Sequence, residues 1–303
     1  MKKLLFLLAV LLTTALASSA QTAQVATLSH EGTISTFYSA NALKDAYAAA
    51  VDGDVITLSS GTFSAPSEIK KNITLRGAGM MPDANPTILT GDIAVRGEYL
   101  DTSSMTLEGL YHNGILTLAH SKDAKIVKCK LKYLKVEGYE NQPCNINLTI
   151  IQCLIDGFDT NGYQSTVTFI NDEIQVWGNF NRMANASFTN CVLIGNDVYH
   201  SKNYFLKNCI IVHINGYTGH SFSDSSTLSN CYYIGSATNP FENSPSTTNH
   251  VFNDLTQEDI FKDLVTYELK DEYAGSWLGD DGTQVGAHGG MLPFDPTPTN
   301  PQI

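Results

Sequence analysis

From about residue 55 to about residue 240 the chain repeats a short pattern with a period near 20, and this repetition restricts its possible folds more than any other property. The pattern is clearest in SFTNCVLIGN (187–196), YFLKNCIIVHING (204–216) and TLSNCYYIGS (227–236). Cys191 and Cys209 are 18 residues apart, and Cys209 and Cys231 are 22 apart. Upstream, TFINDEIQVWGN carries Asn171-Asp172 at the same place, 19 residues before Cys191, and TIIQCLIDGF carries Gln152-Cys153 a further 19 back. AKIVKCKLKYLKVEG follows the form at Cys129, SSMTLEGLYHNG at Gly109 and NITLRGAG at Gly77. About nine such units predict a solenoid.

Within each unit the apolar positions alternate, with Cys153 and Ile155, Cys191 and Leu193, Cys209 and Ile211, and Cys231 and Tyr233 on one face. Runs of three to five Val, Ile, Thr, Phe and Leu residues with period two, separated by Gly and Asn, read as short strands. Twenty residues accommodate three strands and three turns, one circuit of a coil, and the regular Leu lattice of leucine-rich repeats is missing. The expected fold is therefore all-β, a single-stranded parallel β-helix. Stacked circuits place equivalent residues above one another at about 4.8 Å. Asn171, Asn190, Asn208 and Asn230 are expected in a tight bend, tolerating left-handed geometry and hydrogen-bonding to the Asn above and below. Cys129, Cys153, Cys191, Cys209 and Cys231 are expected to point inward as small apolar side chains. In-register side chains that point the same way make poor disulfide geometry, and no two cysteines have zinc-ligand spacing. Cys144 is out of phase. Asp172, standing where its neighbours have Cys, is expected to loosen its coil locally.

An open β-helix exposes strand edges and core at its ends, and both ends need cover. NALKDAYAAAVDGD places Leu43, Tyr47 and Ala50 at helical spacing behind Asn41 as N-cap, which predicts an N-terminal capping helix. A short helix is expected in LTQEDIFKDL, and the Gly- and Pro-rich stretch after it is expected to form a C-terminal cap. The organisation read from the chain is a leader over 1–20, an N-terminal segment and capping helix over 21–54, the parallel β-helix over 55–240, the cap over 241–292 and a tail over 293–303.

The leader, MKKLLFLLAVLLTTALASSA, has two lysines, an apolar run from Leu4 to Leu12 that is too short to span a bilayer, and small residues before Gln21. It reads as a secretory signal peptide cleaved near Ala20-Gln21, so the mature chain is expected to be secreted, periplasmic or at the cell surface, with no transmembrane segment. The chain carries 18 Lys and Arg against 30 Asp and Glu, a net charge of −12. Removing the leader takes away Lys2 and Lys3 and leaves 16 − 30 = −14. With three arginines and no basic stripe, nucleic acid is excluded as a partner and an anionic membrane surface is repelled.

ALKDAYAAAVDGDVITLSSGTF with NITLRGAG, the recurring Asn-Cys bends and DGTQVGAHGGMLPF together resemble the secreted right-handed parallel β-helix proteins of the pectate-lyase-like superfamily. The resemblance covers nearly all of the mature chain. It implies right-handed winding and leaves activity open, since such folds carry lyases, hydrolases, esterases and adhesins. A lyase would need an Arg or Lys base beside a Ca2+ held by carboxylates. Arg76, Arg96 and Arg182 have no clustered Asp beside them, so Ca2+ enters only if the chain is a lyase, and no other cofactor or metal is expected. A polygalacturonase-like hydrolase would need aspartates on neighbouring coils; Asp280, Asp281 and His288 fall together in the C-terminal stretch instead, and no catalytic residue is assigned.

His112, His200 and His220 follow coil segments and, with Trp177, Tyr199 and Tyr217, form a candidate lateral face. Aromatic rings suit the apolar faces of sugars, and His and Asn can bond their hydroxyls. The function expected is therefore an exported monomer that engages a polysaccharide or surface glycan through Trp177, Tyr199, His200, Tyr217 and His220. Two further classes stand beside it, a polysaccharide lyase or glycoside hydrolase and a non-catalytic adhesin or stalk.

Overall fold

A computed structural model of the chain describes residues 24–96, 104–119, 122–138, 145–160, 164–176, 184–195, 204–214, 222, 225–235, 241 and 246–297. Trp177, Tyr199, His200, Tyr217, His220, Cys144, Arg182 and the leader lie outside these residues. Among the described residues, strands line up in two sheets, one of 11 strands and one of 12. From the strand Ser104–Glu108 onward, each described circuit gives one strand to the first sheet, bends at a single left-handed residue and enters the second. Asn185–Thr189, the bend at Asn190 and Val192–Gly195 make one circuit, and Tyr204–Lys207, Asn208 and Ile210–Val212 make the next. The register is one to one: Phe169 lies beside Phe188 and Phe188 beside Leu206, while Ile174, Leu193 and Ile211 follow one another in the second sheet. The molecule is an all-β parallel solenoid of about eight turns, consistent with a right-handed parallel β-helix.

The turn count falls short of nine because the period is not constant. Arg76 pairs with Glu108, 32 positions on, so one circuit is much longer than its neighbours and holds the 3-10 turn Pro82–Ala84. In the early circuits the second sheet is folded across a corner. Thr87–Thr90 and Ile93–Arg96 both pair with Tyr111–Ala119, whose register shifts between His112 and Ile115. Gly114 sits at this corner, where a Cβ would overlap the carbonyl oxygen of Gly91.

The bend residues Lys128, Gln152, Asn171, Asn190, Asn208 and Asn230 all have φ between 50° and 56°. Asn adopts this region more readily than other non-glycine residues. Next in chain, Cys129, Cys153, Cys191, Cys209 and Cys231 are fully buried with free thiols. Burial pushes the Cys129 thiol up to about 12 and the Cys153 thiol well above its ordinary value. Asp172 does not loosen its coil. Its carboxyl is fully buried and accepts from the backbone N–H groups of Cys153, at 2.7 Å, and Ile170, at 2.8 Å, tying two circuits together while strand pairing continues on both sides. A column of rings, Phe158, Phe169, Phe188, Tyr204, Phe222 and Phe241, runs down the core with successive centroids 4.7 to 6.1 Å apart.

At the N-terminal end the helix Ala42–Ala49 buries Leu43 and Ala46 over the core, with Ala50 beyond it. The Asn41 side chain makes no capping bond; its backbone carbonyl accepts from Asp45 N–H. At the helix C-terminus the Lys71 ammonium donates to the carbonyls of Tyr47, Ala48 and Ala50, satisfying acceptors the helix leaves open. An antiparallel hairpin, Val25–His30 and Thr33–Tyr38, extends the first sheet beyond the first circuit.

The C-terminal stretch, expected to close the far end, lies along the side of the solenoid. Strands Val192–Gly195, Ile210–Val212 and Tyr232–Ile234 are buried on both faces, because Val192, Ile194, Ile210, Val212, Tyr232 and Ile234 turn outward against Ile260, Phe261, Trp277 and Val285. An outward apolar face must be covered, and this one is covered from the flank. Trp277 stacks on Tyr232 and on Phe252, each at 4.8 Å.

Candidate functional site at the C-terminal flank

The left-handed bends form a row of side chains along one edge of the solenoid, and residues 279–297 run back down that row. Asn208 Nδ2 donates to Asp280 Oδ1 at 3.1 Å, and Asp280 N–H returns a bond to Asn208 Oδ1 at 3.2 Å. The amide of Asn171 donates to the carbonyls of Ala287 and Gly289. Gln152 Nε2 donates to the carbonyls of Leu292 and Pro293, and Lys128 Nζ reaches Asp295 at 2.8 Å. Gly290 lies against Asn190, where a Cβ would overlap the amide nitrogen. The amides of Asn171 and Asn208 thus serve this strap rather than the Asn above and below. The strap also absorbs residues once weighed for catalysis: Asp280 is held by Lys207 at 2.7 Å, and Asp281 caps the N–H of Thr283.

His288, from the same strap, reaches Glu173 on the second sheet. Glu173 is 3% exposed, and among the described residues neither carboxylate oxygen has a hydrogen-bond partner. His288 Nε2 donates to the Thr266 carbonyl at 2.7 Å and stands 3.6 Å from Glu173 Oε1, an ion-pair separation longer than a hydrogen bond. Burial pushes the Glu173 carboxyl up to about 7, against the pull of His288. For His288 burial acts downward, and the neighbouring Glu173 and Thr266 carbonyl outweigh it, leaving the imidazole above its ordinary value.

Glu173 lines a small cleft of about 90 Å³ with Lys130, Asp156, Gln175, Val265 and Tyr267. Leu154 pairs with Glu173 across adjacent strands, so Asp156 and Gln175 stand on the same outward face. Lys130 Nζ is 4.0 Å from Asp156, whose carboxyl is raised by burial against the opposing pull of Lys130 and Lys132. A larger cavity of about 400 Å³ lies beside the last circuits. Its floor is the buried Val212 and Ile234 with the buried His213, and its rim carries Asn253, Thr256 and Gln257. That volume is within the range of small-molecule sites.

The five residues expected to face a glycan are outside the described residues, so no distance joins them to either concavity. His112, expected on the same face, is fully buried at the sheet corner, where its Nε2 lies 2.8 Å from the Gly91 carbonyl; burial lowers its pKa, against the Gly91 carbonyl and Asp92. Glu173 went unnoticed in the sequence because it stands two residues after the bend, at the start of a strand whose neighbours carry Val and Ile there. Its signal is a lone acid in an apolar column. Among the described residues no group of three or more His, Cys, Asp or Glu is arranged to hold a metal ion, and no helix is long and apolar enough to cross a membrane. Comparison with protein-family models, with curated proteins and with solved structures finds no match.

Proposed function

We propose that the protein is an exported β-helix protein of the pectate-lyase-like group that binds a polysaccharide or surface glycan along its flank. The supporting observation is the cavity of about 400 Å³ beside the last circuits, where aliphatic side chains and His213 form the floor and Asn253, Thr256 and Gln257 the rim. Sugar rings offer an apolar face and a fringe of hydroxyls, and this lining complements both. Ile214, on the cavity lining, precedes Tyr217 by three and His220 by six positions in the sequence. Export rests on the leader over 1–20. The test is a glycan array probed with residues 21–303. Binding to a defined glycan, weakened at least tenfold by Gln257→Ala combined with Asn253→Ala, supports this reading; absence of binding across the array ends it.

A second reading, glycoside hydrolysis, is favoured by one observation. The Glu173 carboxyl, held near 7, shares a cleft with Asp156. One carboxyl kept protonated beside a second carboxylate is the arrangement that acid–base cleavage of a glycosidic bond requires. Release of reducing ends from a polysaccharide panel, abolished by Glu173→Gln, would establish it. The adhesin or stalk reading gains if neither binding nor release is found.

A further inference from the structure

The hairpin that opens the described chain leaves one edge strand of the first sheet without a partner on its outer side, among the described residues. Val25–His30 is flanked by Leu58 and its neighbours on one side and by Thr33–Tyr38 on the other, and Thr33–Tyr38 has no strand beyond it among the described residues. Which of its backbone groups face outward follows from the register. Ser59 N–H donates to the Val25 carbonyl, so the odd-numbered residues of the first strand bond toward the solenoid. The even-numbered residues Ala26, Leu28 and His30 therefore bond to their partners Phe37, Ser35 and Thr33. That leaves the N–H and C=O groups of Ile34, Thr36 and Tyr38 pointing away from the sheet.

Natural sheet edges are normally blunted by Lys, Pro, a bulge or a covering segment. TISTFY has none of these in its sequence, and it carries no charge in a chain whose net charge is −12. Ile34 is 69% exposed and Tyr38 72%, among the most exposed large apolar side chains described.

We infer that Thr33–Tyr38 is the pairing edge of a two-fold dimer, with a second copy of this chain as its occupant. An antiparallel partner with the same outward groups must pair even residues with even ones. The register that centres on the strand then sets Thr36 against Thr36 of the second copy on the two-fold axis and Ile34 against Tyr38 at both ends. Aromatic with β-branched, and Thr with Thr, are among the favourable cross-strand pairs. Continuing outward, Glu31 falls opposite Asn41, so no acid meets an acid in a protein that otherwise repels its copies. The contact is isologous and uses the only face it needs, so it closes at two copies and does not propagate into a fibre. This departs from the monomer expected from the sequence.

The test is sedimentation velocity of residues 21–303 across a concentration series, with three variants. Thr36→Lys sets two like charges together on the axis. Thr36→Pro removes an N–H that the hairpin itself does not use, a position where edge strands accept proline. Thr36→Cys places two thiols at a hydrogen-bonded pair, about 5.5 Å apart between Cα atoms, within disulfide reach. The expected result is a concentration-dependent dimer whose dissociation constant rises at least tenfold in Thr36→Lys and Thr36→Pro with unchanged circular dichroism, and a covalent dimer of Thr36→Cys on mild oxidation. A monomer at every concentration up to about 100 μM, or a dimer that survives both Lys and Pro, overturns the inference. If either of those variants fails to fold, the Thr36→Cys crosslink decides: its absence under oxidation also overturns it.

Discussion

Asn171 is joined to Gly289 by a side-chain amide that donates to the Gly289 carbonyl at 2.6 Å, 118 residues along the chain. The same amide reaches Ala287 at 2.8 Å, and the residue itself is left-handed and 1% exposed. One residue therefore turns the coil and anchors the strap, and the two tasks can be separated.

Asn171→Gly keeps the left-handed bend and removes both bonds to the strap. It is expected to cost about 1–3 kcal/mol by leaving buried carbonyls unpaired. Asn171→Ala adds the strain of φ 56° on a residue with a Cβ, about 1 kcal/mol more. Denaturant unfolding of both variants gives the two contributions by difference, and proteolysis is expected to release the strap first in each.

Stability is expected to fall as pH rises from about 5 to 8. The Glu173 carboxyl, at about 7 in the folded protein, has an ordinary value near 4.5, so its neutral form favours folding. That contribution is full below about 4.5, declines through the interval and is gone above about 7, amounting to up to about 3 kcal/mol. His288 acts in the same direction, because its raised folded value favours the protonated form below its ordinary 6.5 and loses that advantage above it. Asp172, whose value burial pushes up despite two N–H donors, adds to the trend. Glu173→Gln should flatten the profile and make the protein more stable than the parent at pH 8. A pH-independent midpoint in the parent would contradict the assignment.

The five core cysteines are expected to be inert. All five thiols are fully buried, which closes reagent access, and burial pushes the Cys129 thiol up to about 12 and the Cys153 thiol well above its ordinary value. Titration with a thiol reagent should label none of the five in the native protein and all of them in denaturant, and a reductant should leave the melting temperature unchanged.

The ring column makes its own prediction. Phe169 and Phe188 stack with centroids 4.7 Å apart and planes within 3°. Phe188 also meets Tyr204, so Phe188→Ala removes a ring from the middle of the column and leaves a cavity bordered by both neighbours. The expected cost is about 3–5 kcal/mol, measured by chemical denaturation, with Phe188→Leu recovering more than half of it.

The coil was legible because a solenoid writes its geometry into local spacing. A bend residue, Asn at four of six bends, with Cys after it at five of the six, recurs every 18 to 24 positions, and alternation within each unit marks the strands. The strap was not legible for the opposite reason: its partners are 72 to 169 residues away, and its Gly-rich sequence has no period. DGTQVGAHGG looked like an end piece because nothing local distinguishes a segment that covers an end from one that covers a side. Asp172 was misread by position alone, since the two N–H groups that make its burial tolerable belong to its own circuit and the one before. His112 was misread because a histidine after a strand gives no sign of the corner that Gly91 and Gly114 create.

A stack of coils ordinarily behaves as a one-dimensional chain, in which each unit answers only to its neighbours and the ends can fray independently. The bond between Lys128 and Asp295 spans 167 residues and breaks that locality. By running back along the bends from Asn208 to Lys128, the strap couples circuits that share no contact of their own, so their opening energies cease to be separable. The cost is kinetic, because loop closure over that distance must precede the last stabilising contacts. The middle circuits reach full stability only when residues 279–297 have been made and have docked on the bends, so folding of the coil is completed late rather than unit by unit.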